Sequence, residues 1–174
     1  MRFKEVDIKS LKINPFVMLE DQWGLLSVGD AEKFNAMTIA WGGFGVMWSK
    51  PVISVVIRPQ KYTFEFMEKF DLFTVSFYPE EYRKALQLLG TKSGRDSNKI
   101  KESGLTPFHI DGTVAFEEAQ SIYLCRKIFG GQQLDAFKFT DPGLDFAMYP
   151  NMDYHYVYVG EITKVLTCSM PNIP

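Results

Sequence analysis

The order of apolar and polar positions predicts a chain built mostly from short β-strands. Residues 52–57 are nearly all β-branched, and residues 70–78 place two sets of side chains on alternate faces, as a strand with two different faces does. Further short apolar runs are bounded by turn residues and also indicate strands. The predicted strands are residues 16–19, 23–28, 37–41, 52–57, 70–78 and 154–162. A pattern typical of β-strands also occurs over residues 113–118, 119–129 and 133–140.

Helical spacing occurs in only a few segments. A stripe of Phe64, Met67 and Phe70 predicts a helix that opens at Tyr62 and Thr63. Residues 80–89 follow Pro79 and predict a second helix that Gly90 ends. A third, short helix is expected after residues 91–99, capped by Asp96 or Ser97 and closed by Gly104.

Glycine-containing segments are interpreted as loops and turns. Gly42, Gly43 and Gly45 predict a loop between the strands at 37–41 and 52–57. Gly130 and Gly131 indicate a turn, and residues 137–148 form an aromatic-rich segment with a turn at 141–143.

Length, charge and cysteine content restrict the possible classes. The 174 residues fit a single domain over residues 1–174, and the net charge of −2 gives no basic surplus for nucleic-acid binding. No apolar run reaches membrane-spanning length, so no membrane segment is expected. Two cysteines, without CxxC or histidine-rich spacing, favour reduced thiols in the cytoplasm, and no metal site is expected. Cys125 is interpreted as a small core residue.

Two segments carry the chemistry of an anion site. Arg58 precedes a predicted helix whose first turn contains Thr63, where free N–H groups and a guanidinium favour a phosphate. The loop over residues 91–99 is polar, contains a glycine and leads into a helix. Each segment also has a plainer interpretation, as an ordinary strand–helix connection and as a solvated loop.

The order of these motifs resembles the flavin reductase domain of the flavoredoxin type. The shared features are Asn35-Ala36-Met37-Thr38-x-x-Trp41, a glycine-rich stretch ending in Ser-Lys-Pro, Arg58-x-x-x-Tyr62-Thr63, and Ser93-Gly94-Arg95-Asp96-x-x-Lys99. The resemblance covers most of the chain. It implies a mainly β Greek-key split β-barrel with a few peripheral helices, an FMN cofactor, and a homodimer with FMN at the subunit interface.

The resemblance also implies which residues contact the flavin. Asn35, Ala36, Met37 and Thr38 are expected along the ring, which needs matched donors and acceptors. Trp48 is expected over a ring face, although an apolar lid over the core is equally natural for it. The remaining expected contacts are Arg58, Tyr62, Thr63, Ser93, Gly94, Arg95 and Lys99. His155 lies five residues before Gly160, a spacing found in relatives, and is the candidate catalytic residue beside the flavin or a nicotinamide; the alternative is a histidine satisfied within the barrel.

The function implied is an FMN-binding oxidoreductase that passes electrons between NAD(P)H or a redox protein partner and the flavin. The flavin performs the redox chemistry, so no protein nucleophile is required. One alternative is a non-catalytic FMN carrier reduced by a protein partner. Another is a barrel that binds a different ligand.

Overall fold

The chain folds around one large antiparallel sheet. The computed structural model describes residues 3–168. Ten strands occur in this range: β1 (Phe3–Val6), β2 (Gly24–Gly29), β3 (Phe34–Ile39), β4 (Gly42–Met47), β5 (Lys50–Ile57), β6 (Leu72–Phe77), β7 (Pro107–Ile110), β8 (Thr113–Phe116), β9 (Ser121–Gln133) and β10 (Tyr156–Cys168). Eight of them form a sheet in the order β3-β2-β6-β9-β10-β5-β4, with β1 on β10, while β7 and β8 form a separate hairpin. The predicted mainly β architecture is confirmed.

The helices are short and lie around this sheet. They are α1 (Tyr62–Lys69), α2 (Arg83–Thr91), α3 (Lys99–Ser103) and α4 (Pro142–Met148). Three 3-10 turns, at Ile8–Ser10, Glu80–Tyr82 and Ala136–Lys138, and one π-helical segment at Val17–Gln22 complete the elements. The prediction of a single domain over residues 1–174 extends beyond the described range at both ends.

The sheet curls into a barrel that is not closed by hydrogen bonds. The edge strands β3 and β4 lie at opposite ends of the strand order, yet only Ala40 and Trp41 separate them in the chain. Three Cα steps span at most about 11 Å, so the two edges must approach each other. Gly42 makes this crossing with φ +147°, and a Cβ there would lie 2.2 Å from the Ser54 carbonyl oxygen. The gap between β3 and the β4–β5 hairpin is the split of the barrel.

Two cores pack on the two faces of the sheet. Leu26 and Val28 face the barrel interior with Phe73 and Tyr158, whereas Leu25, on the opposite face of β2, packs in a second core with α2. This double burial explains why every residue of β2 is buried. It also fixes α2 against the outer face of β3.

Several local predictions are wrong because a side chain or a close contact overrides the local pattern. Residues 16–19 are helical instead, with Val17–Gln22 as the π-helical segment, since the Asn14 Oδ1 accepts from the N–H groups of Phe16 (3.1 Å) and Val17 (3.4 Å). The predicted glycine loop is strand β4, joined to β5 by Trp48 and Ser49, whose φ values of 50° and 59° suit a two-residue hairpin.

Three glycine or turn predictions also fail. The helix α2 runs through Gly90, where a Cβ would lie 3.1 Å from the Cβ of Thr38, so this glycine permits close packing instead of ending the helix. Gly131 has φ +76° and lies inside β9 next to a register shift, which makes it part of a bulge. The turn predicted at 141–143 begins α4, capped by Asp141, and residues beyond Gln133 leave the strand. Gly104, with φ +74°, ends α3 as predicted, but the N-cap of α3 is Asn98.

Candidate functional site

An open cleft of about 220 Å³ lies in the split of the barrel. It brings together four residues predicted from the sequence, Met37, Thr38, Arg58 and His155, and its other lining residues are Ile39, Ala40, Trp41 and Val56. Its volume is below the roughly 300–1,000 Å³ of enclosed ligand pockets. The cleft therefore holds only part of a cofactor-sized ligand within one chain.

The polar groups of β3 are suited to a ring with donors and acceptors. In the described part of the chain β3 pairs only with β2, which leaves backbone groups on its other edge without a strand partner. The Thr38 hydroxyl donates to the Leu86 carbonyl at 2.5 Å, and its oxygen can still accept a hydrogen bond. Ala36 is fully buried in the second core, so its contribution to a ligand would come from its backbone.

Arg58 is held by residues from the segment before β10. Its Nη1 donates to the Asp153 carboxylate, its Nη2 donates to the Met148 carbonyl at 2.9 Å, and its Cζ lies 5.3 Å from the centre of the Tyr149 ring. The Asp153 carboxylate also accepts from Gln60 Nε2 at 2.6 Å. These hydrogen bonds, the one from Arg58 first, lower the pKa of Asp153 below its ordinary value. Arg58 therefore lines the cleft as one partner of an ion pair.

His155 is a buried, neutral imidazole. Its Nδ1 lies 2.9 Å from the Tyr149 hydroxyl, and the Trp41 ring centre lies 5.1 Å away. Burial, followed by the charge of Arg58, lowers the pKa of His155 to about 4. At neutral pH this side chain can form hydrogen bonds but does not carry a proton to donate as an imidazolium. Its role at a hydride site stays a prediction.

A second cavity of about 370 Å³ collects most of the other predicted residues. Asn35, Tyr62, Gly94, Arg95 and Lys99 line it, together with Lys33, Phe34, Phe66, Asp96, Ser97, Asn98 and Ile100. Lys33 Nζ and Arg95 Cζ lie 5.8 Å and 4.9 Å from the centre of the Tyr62 ring. Three cationic side chains and one acidic side chain line this cavity, so it favours an anionic ligand. We refer to it as the cationic cavity.

Close packing at Gly94 connects the cationic cavity to β3 and α1. Asn35 Nδ2 donates to the Thr63 hydroxyl at 2.8 Å, and both side chains are buried. A Cβ on Gly94 would lie 2.5 Å from Asn35 Oδ1, so the loop approaches this pair as only glycine permits. Ser93 supports the same loop, because its hydroxyl accepts from the backbone N–H of Arg95 at 3.2 Å.

Two predicted cationic contacts are engaged by the protein itself. Lys99 Nζ donates to the carbonyls of Leu89 (2.9 Å) and Lys92 (3.1 Å), which stabilises the end of α2. Burial, followed by the charge of Lys61, lowers the pKa of Lys99 to about 8. Arg95 donates to the Gln60 carbonyl at 3.0 Å and to Glu65 at 2.5 Å.

Trp48 lies apart from the other predicted residues within one chain. It occupies the tip of the β4–β5 hairpin, is 60% exposed, and has its ring centre 6.4 Å from that of Phe129. Lys33, Gln60, Tyr149 and Asp153 also lie at these two sites but were not predicted from the sequence. None of the four is a defining residue of the motifs, so the local pattern gives no signal for them.

The described residues offer little support for two other kinds of site. Over residues 3–168 no group of three or more His, Cys, Asp or Glu side chains is placed to hold a metal ion. No helix in the same range is both long and apolar enough to span a membrane.

Comparison with known proteins identifies the fold and the family. Among solved structures, the chain is similar to an FMN-binding domain of a flavin reductase-like enzyme from Shewanella baltica OS155, with TM-score 0.69 and 16% identity over 96% of this chain and 78% of that one. It is also similar to the flavoredoxin from Methanosarcina acetivorans, with TM-score 0.64 and 22% identity over 90% and 74% of the two chains. The flavoredoxin of Desulfovibrio vulgaris (Miyazaki F) gives TM-score 0.64 and 21% identity over 84% and 69%.

These identities are low, so the structural similarity shows a shared fold, and it confirms the predicted split β-barrel. None of the curated proteins compared with the chain is a significant match. The family model of the flavin reductase like domain matches residues 22–172. Since this match spans more than half of the sequence, the chain belongs to the flavin reductase-like domain family.

Proposed function

We propose that this protein is an FMN-binding oxidoreductase that passes electrons between NAD(P)H or a redox protein and its flavin. The observation that carries the proposal is the pair of cavities along β3. A cleft whose one charged lining residue, Arg58, is paired with Asp153 lies at one end of the strand, and the cationic cavity lies at the other. The connection from Arg58 to Tyr62 runs between them, because its first residue lines the cleft and its last lines the cationic cavity.

The residues present fit FMN, which joins a flat ring with a polar edge to a phosphate. The unpaired edge of β3 and the Thr38 hydroxyl offer hydrogen bonds to the ring, and Met37 and Trp41 offer apolar contact. Arg95 and Lys33 offer positive charge to the phosphate, and Lys99 adds its charge from a buried position, where its ammonium donates to two backbone carbonyls. When bound, the flavin supplies the electron and hydride chemistry, while the protein binds it, orients it and excludes water.

The proposed roles of the remaining predicted residues follow from their contacts. Asn35 and Thr63 hold each other and keep Gly94 close to β3. Tyr62 places an aromatic face between Lys33 and Arg95. His155, neutral and hydrogen-bonded to Tyr149, is a hydrogen-bonding group at the ring end of the site. Hydride transfer to a flavin needs no protein nucleophile, and the proposal assigns none.

A homodimer is part of the proposal because large apolar side chains are exposed at the surface. Phe16, Val46 and Trp48 are 80%, 75% and 60% exposed. A groove of about 710 Å³ contains Phe16 and shares Ala40 and Trp41 with the cleft. Covering this surface with a second copy would bury the apolar groups and enclose the cleft. A cytoplasmic location also remains part of the proposal.

The proposal is tested by titrating FMN and riboflavin into the purified protein and following flavin fluorescence. We expect both to bind, and FMN to bind more tightly. Arg95→Gln should weaken FMN binding by about tenfold and riboflavin binding much less, as loss of one charged phosphate contact predicts. Lys92→Gln is the matched control, since Lys92 is an exposed cation on the same loop, paired with Glu102. Absence of flavin binding would reject the proposal.

A further inference from the structure

Arg58 is the one charged side chain among the described residues that line the cleft. Two of its five N–H donors are used by Asp153 and by the Met148 carbonyl. The face of the guanidinium lies near the Tyr149 ring, at 5.3 Å from its centre. The orientation of Arg58 is therefore set by three residues from one segment, residues 134–154, which carries no flavin motif.

Asp153 neutralises Arg58 within a largely buried ion pair. The side chains of Arg58 and Asp153 are 25% and 17% exposed. One carboxylate oxygen of Asp153 accepts from Arg58 and Gln60, and the other is buried without a hydrogen-bond partner among residues 3–168. A carboxylate in this position depends on the guanidinium charge, and it opposes any further anion placed beside Arg58.

The cationic cavity, unlike the surroundings of Arg58, keeps a net positive charge. Lys33, Arg95 and Lys99 line it against the single acid Asp96, and Glu65 pairs with Arg95 from outside the lining. The positive charges exceed the negative charges by one even when Glu65 is counted. A dianionic phosphate is thus favoured in the cationic cavity and disfavoured next to the Arg58–Asp153 pair.

We propose that Asp153 determines which ligand group Arg58 recognises. Paired with Asp153, Arg58 donates hydrogen bonds to an uncharged acceptor, such as a ring carbonyl, and does not bind the phosphate. This inference rests on the proposed function, since it divides the flavin between the cleft and the cationic cavity. It also revises the expectation from the sequence that Arg58 forms part of a phosphate clamp.

The test compares FMN with riboflavin, which has the same ring without the phosphate. Arg58→Met should weaken both by the same factor, about tenfold, leaving the ratio of the two affinities unchanged within twofold. Asp153→Asn keeps the side-chain shape but leaves Arg58 with its full charge, so the ratio should shift about tenfold in favour of FMN. Asp145→Asn is the control, because Asp145 lies in the same segment and accepts from the Tyr154 hydroxyl at 2.9 Å, and among the described residues it forms no ion pair with Arg58.

The double variant Arg58→Met/Asp153→Asn removes both charges and leaves no unpaired buried ion. It should show the wild-type ratio of affinities, which keeps the inference testable if Asp153→Asn does not fold. If either Arg58 variant loses affinity for FMN alone, Arg58 contacts the phosphate and the inference is wrong. An unchanged ratio in folded Asp153→Asn also overturns it. Wild-type protein that binds both flavins supports the proposed function whatever the variants do, and protein that binds neither overturns both.

Discussion

Gly94 is the position at which the smallest change should disturb the candidate site. An alanine Cβ there would lie 2.5 Å from Asn35 Oδ1 and 3.0 Å from Tyr62 Cδ1, and real contacts of this kind are essentially never below 3.0 Å. Asn35 cannot yield freely, because it is 3% exposed and its amide donates to the buried Thr63 hydroxyl at 2.8 Å. Either the 93–95 loop moves outward or the Asn35–Thr63 hydrogen bond breaks.

Both responses lower the free energy of unfolding by a similar amount. Overpacking a tight site costs about 1–3 kcal/mol, and a buried polar group left without its partner costs about 1–3 kcal/mol. We therefore expect Gly94→Ala to reduce the free energy of unfolding by about 2 kcal/mol, which shifts the urea midpoint by roughly 1 M for a typical denaturant slope. Binding of FMN should weaken in the same variant, since Arg95 moves with the loop.

Gly45→Ala is the matched control. A Cβ at Gly45 would meet no described atom within 4 Å, so its free energy of unfolding should change by less than about 0.5 kcal/mol. In the double variant Asn35→Ala/Gly94→Ala the clashing oxygen is absent, and the two effects should fall short of additivity by about 1 kcal/mol or more. Equal stability of Gly94→Ala and Gly45→Ala would refute the packing argument.

Three further predictions concern charge and assembly. Because the pKa of Lys99 is lowered to about 8, the folded protein loses the proton of the Lys99 ammonium at a lower pH than the unfolded chain does. The free energy of unfolding, measured by denaturation, should therefore rise between pH 8 and 10.5, and Lys99→Met should lack that part of the rise. The midpoint of His155 protonation, followed by NMR, should lie near pH 4. The contribution of His155 to the free energy of unfolding should be lost as pH falls from 6.5 towards 4, because the unfolded chain binds the imidazole proton at a higher pH than the folded protein does. A midpoint near 6.5 would show that the imidazole is not buried as described. Trp48→Asp should convert a dimer into monomers by light scattering, whereas Phe137→Asp, at a side chain 96% exposed on another segment, should not; equal effects would count against an interface at the hairpin tip.

Much of the fold was predictable because strands leave a strong period-two signal. Residues 52–57 and 70–78 lie where β5 and β6 occur, since their β-branched and aromatic side chains pack on both faces. Glycine misled the interpretation at β4, Gly90 and Gly131. Gly42 and Gly90 allow a close approach within a strand and a helix, and Gly131 adopts the positive φ of a bulge. The reason for each glycine lies in a neighbouring element and not in the local sequence.

The motifs were enough to predict many of the residues that line the candidate site, although their contacts with a flavin stay a prediction. Met37, Thr38, Arg58 and His155 meet in one cleft, and Asn35, Tyr62, Gly94, Arg95 and Lys99 meet in one cavity. What the sequence could not show is how these groups are held. Asp153 lies 95 positions from Arg58, and nothing in the local pattern indicates that the two side chains pair. Nor does the local pattern indicate that the buried ammonium of Lys99 donates to a carbonyl at the end of α2.

We propose above that the protein binds FMN and transfers electrons through it. The most direct measurement is the visible absorption spectrum of the protein reconstituted with FMN, recorded before and after anaerobic addition of NADH or NADPH. We expect a bound flavin band that bleaches on addition of a pyridine nucleotide. A band that persists until dithionite is added would indicate an electron carrier reduced by another protein. A protein that retains no FMN would show that it is not a flavin-dependent oxidoreductase.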